Sequence, residues 1–127
     1  MKQINKYIVE RLHINKDIGN RHYNYHPKTC KELTELVKKL VNERGNDADL
    51  NDIDTSKITD MNYIFYNSKF NGDISEWDVS NVETMESMFS NSNFNGDISK
   101  WDVSNVENMN DMFYNSPLEK NPPKWYK

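Results

Sequence analysis

The feature that most constrains this chain is an internal repeat with a period of 24 residues. Residues 70–83 and 94–107 are identical except at one position, where Glu76 in the first stretch corresponds to Lys100 in the second. A repeated segment of this length folds as one structural unit, and it buries its apolar side chains against the units on either side. The sequence therefore predicts a stack of similar units.

The period extends in both directions beyond these two stretches. Leu50 falls one period before Ile74, and Trp125 falls one period after Trp101. The tail carries two prolines where the other units carry Ile-Ser, and proline cannot donate to a neighbouring strand. We assign residues 46–127 to the repeats, with a truncated unit at the C-terminal end.

Each unit carries one strand signal and one helix signal. Apolar and polar residues alternate over residues 77–79, as in a short strand. Residues 80–83 (Ser-Asn-Val-Glu) match a capping box, and Val82, Met85 and Phe89 follow at helical spacing. The fold class predicted is α/β, a short leucine-rich-repeat-like solenoid of strand–helix coils, capped by an N-terminal α-helical segment.

The recurring large apolar residues are predicted to form columns in a narrow core. A methionine-rich binding groove is the alternative interpretation of the methionines. The predicted core residues are Trp77, Trp101, Trp125, Met85, Met109, Phe89 and Phe113.

Residues 1–45 precede the repeats and are predicted to cap them, because a stack exposes apolar core at its ends. Residues 1–12 are predicted to form a helix, and residues 13–28 show only a possible short strand. A second capping box at residues 29–32 and the Arg44-Gly45 pair predict the bounds of another helix. Its apolar stripe consists of Leu33, Leu36, Val37, Leu40 and Val41.

The net charge changes sign at the same boundary, between residues 45 and 46. Residues 1–45 hold 10 basic and 5 acidic residues, whereas residues 46–127 hold 6 basic and 15 acidic residues. No apolar stretch reaches the roughly 18 residues needed to cross a bilayer, and the first residues lack the apolar segment of a signal peptide. Cys30 is the single cysteine, so no internal disulfide is expected. We expect a cytoplasmic, monomeric protein that does not insert into membranes.

The repeated motif is Phe-Asn-Gly-Asp-Ile-Ser-x-Trp-Asp-Val-Ser-Asn-Val-x-x-Met-x-x-Met-Phe. It resembles the bacterial surface-protein repeat of the BspA-like leucine-rich-repeat family, often called DUF285, over about residues 49–127. The resemblance implies a leucine-rich-repeat-like fold and a role in adhesion or protein binding, and it supplies no catalytic residue. Surface members of the family usually carry export signals, and none is visible here.

No phosphate-binding loop, dinucleotide fingerprint or nucleophile elbow is present. His22, His26 and Cys30 share a four-residue spacing, but Pro27 would break a helix that carried them on one face. We therefore expect no enzymatic activity, no cofactor and no metal ion.

Asp54, Asp78 and Asp102 recur at one position and are expected to stack outside the core. Carboxylates directly opposite one another repel. Three interpretations remain open: each Asp accepts a hydrogen bond from a nearby turn N–H or Ser hydroxyl, the column faces a basic partner, or Asp73 and Asp97 join it to hold Ca²⁺.

The predicted function is a protein-interaction module that binds a protein partner through its exposed strand face; nucleic acid is not the expected partner. The alternative is a small acidic inhibitor, of a kind that a phage could encode, that occupies the basic nucleic-acid-binding site of a host protein. The candidate binding residues are Asp54, Glu76, Asp78, Ser80, Lys100, Asp102 and Ser104.

Overall fold

The computed structural model describes residues 22–126. Helix α1 spans Cys30–Arg44, and helix α2 is a short turn of helix over Pro117–Lys120. Within the described residues, strand-type pairing between units is confined to isolated parallel bridges, at Asp49–Asp73, Asp60–Thr84 and Thr84–Asn108, with a further bridge between Tyr25 and Ile53. The helix predicted for residues 1–12 lies outside the described residues.

The predicted solenoid of strand–helix coils is wrong. The only helix of any length between residues 22 and 126 is α1, with 15 residues, and the bridges do not extend into a strand or sheet. The units still stack in sequence order, but each one is made of consecutive turns. The predicted strand face is therefore absent from the described part of the chain.

Hydrogen bonds between units explain why the helix predicted after each capping box does not form. In the stretch from Met85 to Asn91, every second N–H donates to a carbonyl of the next unit at 2.8–2.9 Å. The N–H groups of Met88, Ser90 and Ser92 close turns onto carbonyls three residues earlier. An α-helix needs these donors for its own carbonyls four residues back, so stacking and helix formation exclude each other here.

Backbone conformation gives a second reason. Ser87 has φ 52° and Asn91 has φ 56°, in the left-handed region that an α-helix of L-residues cannot contain. The equivalent positions in the other units do the same, at Tyr63, Asn67, Asp111 and Asn115. The predicted capping box also fails, because the Glu83 N–H donates to the carbonyl of Thr59 in the preceding unit at 2.8 Å.

Aromatic columns hold the units together. The ring of Phe89 lies 5.5 Å from that of Phe65 and 5.7 Å from that of Phe113, and the rings are nearly parallel. Phe70 and Phe94 form a second column with centroids 6.1 Å apart. All five side chains are buried. The narrow core of each unit is thus filled by contact with the same side chain of the next one.

The tryptophan column is anchored by hydrogen bonds as well as by packing. The indole N–H groups of Trp77, Trp101 and Trp125 donate to carbonyls 27 residues earlier, at 2.9, 3.2 and 2.9 Å. Trp77 and Trp101 are buried, and Trp125 is half-buried at the end of the stack. Of the other residues predicted for the core, Met85, Phe89 and Phe113 are buried and Met109 is half-buried.

Helix α1 forms where the sequence predicted a helix. The Thr29 hydroxyl accepts from the Glu32 N–H at 3.1 Å, and Gly45 with φ 100° ends the helix. Leu33, Val37 and Leu40 are buried in the same core as the repeats. The division into a cap at residues 1–45 and repeats at 46–127 stays a prediction.

Candidate interaction surfaces

The predicted acidic column is fixed by local hydrogen bonds. In each unit the Oδ1 atom of the aspartate accepts from both the N–H and the hydroxyl of the serine two residues later. The distances are 3.0 and 2.6 Å for Asp54 and Ser56, 3.0 and 2.6 Å for Asp78 and Ser80, and 3.1 and 2.7 Å for Asp102 and Ser104. The hydrogen-bonding interpretation of this column is therefore confirmed, and we name it the first acidic row.

A second acidic row repeats the arrangement. Asp73 accepts from the N–H and hydroxyl of Ser75 at 2.9 and 2.7 Å, and Asp97 accepts from Ser99 at the same two distances. An Asp or Asn that bonds its own backbone two residues later makes a tight local turn. Both rows thus present carboxylates whose orientation is set by the backbone beneath them.

These hydrogen bonds favour the ionised form of Asp54, Asp73, Asp97 and Asp102. The Ser104 hydroxyl and N–H lower the pKa of Asp102, and Ser99 does the same for Asp97. The Ser75 N–H and hydroxyl lower the pKa of Asp73. For Asp54, partial burial opposes ionisation, but the bonds from Ser56 and the contact with His26 outweigh it and lower the pKa.

Stability should therefore fall in acid. A carboxylate whose pKa is depressed in the folded state adds stability above its unfolded pKa of about 3.9, and that stability is lost as the pH falls through the folded pKa. We expect the free energy of unfolding, measured by urea denaturation, to decrease from pH 5 to pH 2. An asparagine in place of Asp54 or Asp73 keeps an acceptor oxygen but cannot titrate. The double variant D54N/D73N should therefore lose less unfolding free energy between pH 5 and pH 2. Equal decreases in the two proteins would contradict this account.

The remaining predicted binding residues lie on turns near these rows. Glu76 and Lys100 are exposed at equivalent positions, and the Glu76 N–H donates to the Asn51 side chain at 2.9 Å. Ser80 and Ser104 use their hydroxyls within the first acidic row. The structure thus places these residues on one run of turns in each unit.

The residues considered for metal binding are not arranged around a common point. His26 Nδ1 lies 3.3 Å from Asp54 Oδ2, whereas Cys30 Sγ faces the carbonyl of Asn62 at 3.6 Å. Between residues 22 and 126, no group of three or more His, Cys, Asp or Glu side chains could hold a metal ion. Burial, with Asp60 nearby, raises the pKa of the Cys30 thiol, which disfavours the thiolate that a nucleophile needs.

Three exposed tyrosines form a surface that the sequence analysis missed. Tyr63, Tyr66 and Tyr114 are 48%, 45% and 58% exposed, and we name them the tyrosine surface. The rings of Tyr63 and Tyr66 meet edge to face, with centroids 5.5 Å apart. The Tyr63 hydroxyl donates to Glu86 at 3.2 Å, and that bond raises the pKa of the phenol. The signal was available in the sequence, because Tyr63 corresponds to Ser87 and Asp111, and Tyr66 and Tyr114 share a position that holds Ser90 in the unit between them.

An open cleft adjoins this surface. It has a volume of about 450 Å³ and lies between α1 and the first unit, with Val37 and Val41 on the helix side. Ile64 and Tyr66 line the opposite wall. Polar residues such as Lys38 and Asn42 complete the lining, so the cleft offers both apolar and polar contacts beside the exposed Tyr66 ring. In the described part of the chain, neither helix is long and apolar enough to cross a membrane.

Residues 31–126 match a protein family described as "Mycoplasma protein of unknown function, DUF285". The match covers the greater part of α1, all of the units and most of the tail. The chain belongs to the DUF285 family. No curated protein and no solved structure matches it.

Proposed function

We propose that this DUF285 protein is a non-enzymatic protein-interaction module that binds a protein partner through the tyrosine surface and the adjoining cleft. The observation that carries the proposal is the pair Tyr63 and Tyr66, whose rings are about half exposed and meet edge to face, with Tyr66 also lining the cleft. Tyrosine is enriched at protein interfaces because it adds a large contact area and a polar group with few rotatable bonds.

The backbone beneath the tyrosines is suited to binding without a large entropic cost. Tyr63 has φ 63°, and its N–H donates to the carbonyl of Glu86 in the next unit at 3.1 Å. The Phe65 and Asn67 N–H groups are fixed in the same way, at 2.9 and 3.0 Å. A surface whose backbone is already held loses little conformational freedom on binding.

The resemblance to BspA-like surface-protein repeats also favours this proposal, since it implies adhesion or protein binding. Within the proposal, the partner is a protein and the binding module is a monomer. Cytoplasmic localisation stays a prediction from the sequence.

The two acidic rows favour the alternative function, an inhibitor that occupies a basic nucleic-acid-binding site. Their carboxylates are oriented by Ser hydroxyls, and Asp97 and Asp102 are exposed. An oriented row of charge attracts a basic partner strongly at low ionic strength and weakly at high ionic strength. Salt dependence therefore separates the two functions.

The test is a comparison of partner capture from the native host by three immobilised proteins: the native chain, Y63S/Y66S and D78N/D102N. We expect one protein to be retained by the native chain and by D78N/D102N at high salt, and to be lost with Y63S/Y66S. All three proteins should unfold at similar urea concentrations, because the substituted side chains are exposed or half-exposed.

The opposite pattern would support the inhibitor. A nucleic-acid-binding protein that is released by salt and by D78N/D102N, but not by Y63S/Y66S, contradicts the tyrosine proposal. Capture that is unaffected by either pair of substitutions contradicts both proposals.

A further inference from the structure

At the C-terminal edge of the described units, a row of backbone N–H groups has no acceptor within residues 22–126. In the two preceding units, N–H groups in the stretches 61–67 and 85–91 donate to carbonyls 23 residues later. The equivalent N–H groups of Met109, Asp111 and Phe113 have no acceptor within residues 22–126. An unpaired backbone row of this kind is a template for pairing with another chain.

The fourth N–H of the row, that of Asn115, does have an acceptor. The Asn115 N–H is equivalent to those of Asn67 and Asn91, which donate to carbonyls of the next unit. At Asn115 the acceptor is instead the Glu119 carboxylate, at 3.1 Å. An oxygen of the chain itself therefore takes the place of the missing carbonyl at this one position.

The apolar core is also incompletely covered at this edge. Val79, Val82 and Met85 are buried in the second unit, with exposures of 1%, 0% and 0%. Their equivalents Val103, Val106 and Met109 are only partly buried. The tail covers the tryptophan side of the last unit, where the Trp125 indole donates to Ile98. The Tyr126 ring also lies 4.9 Å from the Phe113 ring, so the part of this edge that the tail leaves partly exposed is the side with Val103, Val106 and Met109.

The opposite end of the stack is covered by the chain itself. There the residues around Tyr25 run alongside the first unit, with a parallel bridge to Ile53 and a 2.8 Å bond from Asp54 N–H to the Tyr25 carbonyl. Helix α1 covers the turn stretch, and Cys30 Sγ contacts the carbonyl of Asn62. An extended segment therefore already pairs with the edge of a unit in this fold.

Charge and hydrogen-bond direction together select the occupant. Residues 101–119 contain four acidic residues and no lysine or arginine. Two copies meeting at this edge would bring donors against donors and acids against acids, and the carbonyl edge of a second copy is covered by α1. The complement is a chain that offers carbonyls, apolar side chains and positive charge.

We propose that the edge formed by Val103–Phe113 binds an extended, lysine- or arginine-bearing segment of a partner protein by backbone pairing. This site rests on the proposed protein-binding function and adds to it a second contact and a class of ligand. The partner's carbonyls accept from Met109, Asp111 and Phe113, and its apolar side chains cover Val103, Val106 and Met109.

The probe is a synthetic peptide with the sequence of residues 102–115 and the substitutions D102K, E107K and D111K. It carries the carbonyls that accept from the preceding unit in the native stack, together with the opposite charge. We expect it to bind the full chain, and the unsubstituted acidic peptide to bind roughly tenfold more weakly at low salt. Amide exchange at Met109, Asp111 and Phe113 should slow when the lysine peptide is added.

Two variants of the full chain locate the binding. V106K places a charge on the partly exposed apolar side of the edge and E107K reverses an exposed charge there, so both should weaken binding of the lysine peptide by roughly tenfold or more. E43K, the same charge reversal at an exposed residue of α1, and Y63S/Y66S should leave it unchanged. Because Glu107 is exposed, E107K retains the test even if V106K does not fold.

Each outcome bears on one proposal. Absence of lysine-peptide binding, binding that is equally strong with E107K, or unchanged amide exchange at the three donors overturns the edge site. Such a failure leaves the tyrosine proposal intact if partner capture still depends on Tyr63 and Tyr66. Loss of that dependence, with peptide binding retained, overturns the tyrosine surface alone.

Discussion

Replacing Trp101 with alanine is expected to lower the free energy of unfolding by about 3–5 kcal/mol. The side chain is 5% exposed, and its ring lies 6.3 Å from Phe89 and 6.4 Å from Trp125. Its indole N–H donates to the carbonyl of Ile74, which would lose this partner. The variant therefore combines a cavity with an unpaired buried acceptor. Urea denaturation followed by circular dichroism measures the loss.

Two further variants separate these contributions. Trp101→Phe keeps an aromatic ring in the column and removes the indole donor, so it should cost less than alanine and still fold. Trp125→Ala should also cost less, because Trp125 is only half-buried. A loss below about 1 kcal/mol for Trp101→Ala, or an equal loss at Trp125, would contradict a continuous buried column.

The 24-residue period could be predicted because each core position recurs with the same residue type. Phe89 and Phe113 occupy the same position in consecutive units, and the structure stacks their rings at 5.7 Å. Helix α1 could be predicted because its signals are local, with Thr29 at the start and Gly45 at the end. In both cases the residues that decide the structure are visible within the pattern itself.

The conformation within each unit could not be predicted in the same way. Val82, Met85 and Phe89 have helical spacing, but consecutive turns bury the same three residues. The decision depends on the Met85 and Phe89 N–H groups, which donate to the next unit. A prediction from local sequence assigns these N–H groups to a helix. The hydrogen bonds between units form only when the units stack, so the local sequence does not reveal them. Serine at the left-handed position 87 gives no warning, because serine has no strong preference for that conformation.

Of the candidate surfaces, the acidic rows could be predicted from the sequence, whereas the tyrosine surface was missed. The acidic rows could be predicted because aspartate and serine recur at fixed spacing, and a side chain that bonds its own backbone needs only local sequence. The tyrosine surface varies from unit to unit, since Tyr66 and Tyr114 share a position that holds the buried Ser90 in the unit between them, and Tyr63 corresponds to Ser87. A search for recurring residues passes over positions whose residue type differs between units. At a surface position, however, such a difference can give one unit a binding contact that the other units lack.

Replacing Gly72 with alanine is expected to lower the free energy of unfolding by about 3 kcal/mol or more, at the upper end of overpacking effects. A Cβ atom at Gly72 would lie 1.9 Å from the carbonyl oxygen and 2.8 Å from the nitrogen of Ala48. Both are backbone atoms, so the first two units would have to separate. The Asp73 N–H bond to Ala48 (2.9 Å) and the Asn71 N–H bond to Asn46 (2.7 Å) flank this contact and would be lost with it.

Gly96→Ala is the matched control one period later. There a Cβ atom would meet ring atoms of Phe94 at 2.7 and 2.8 Å and the Gly72 carbonyl at 3.2 Å. A ring can shift more readily than a backbone carbonyl, so the expected loss is smaller, about 1–2 kcal/mol. Ala48 occupies the same column in the first unit. If this column holds only small residues because the backbones of neighbouring units touch there, alanine is tolerated only at position 48. Equal losses of stability for Gly72→Ala and Gly96→Ala in urea denaturation would contradict this explanation.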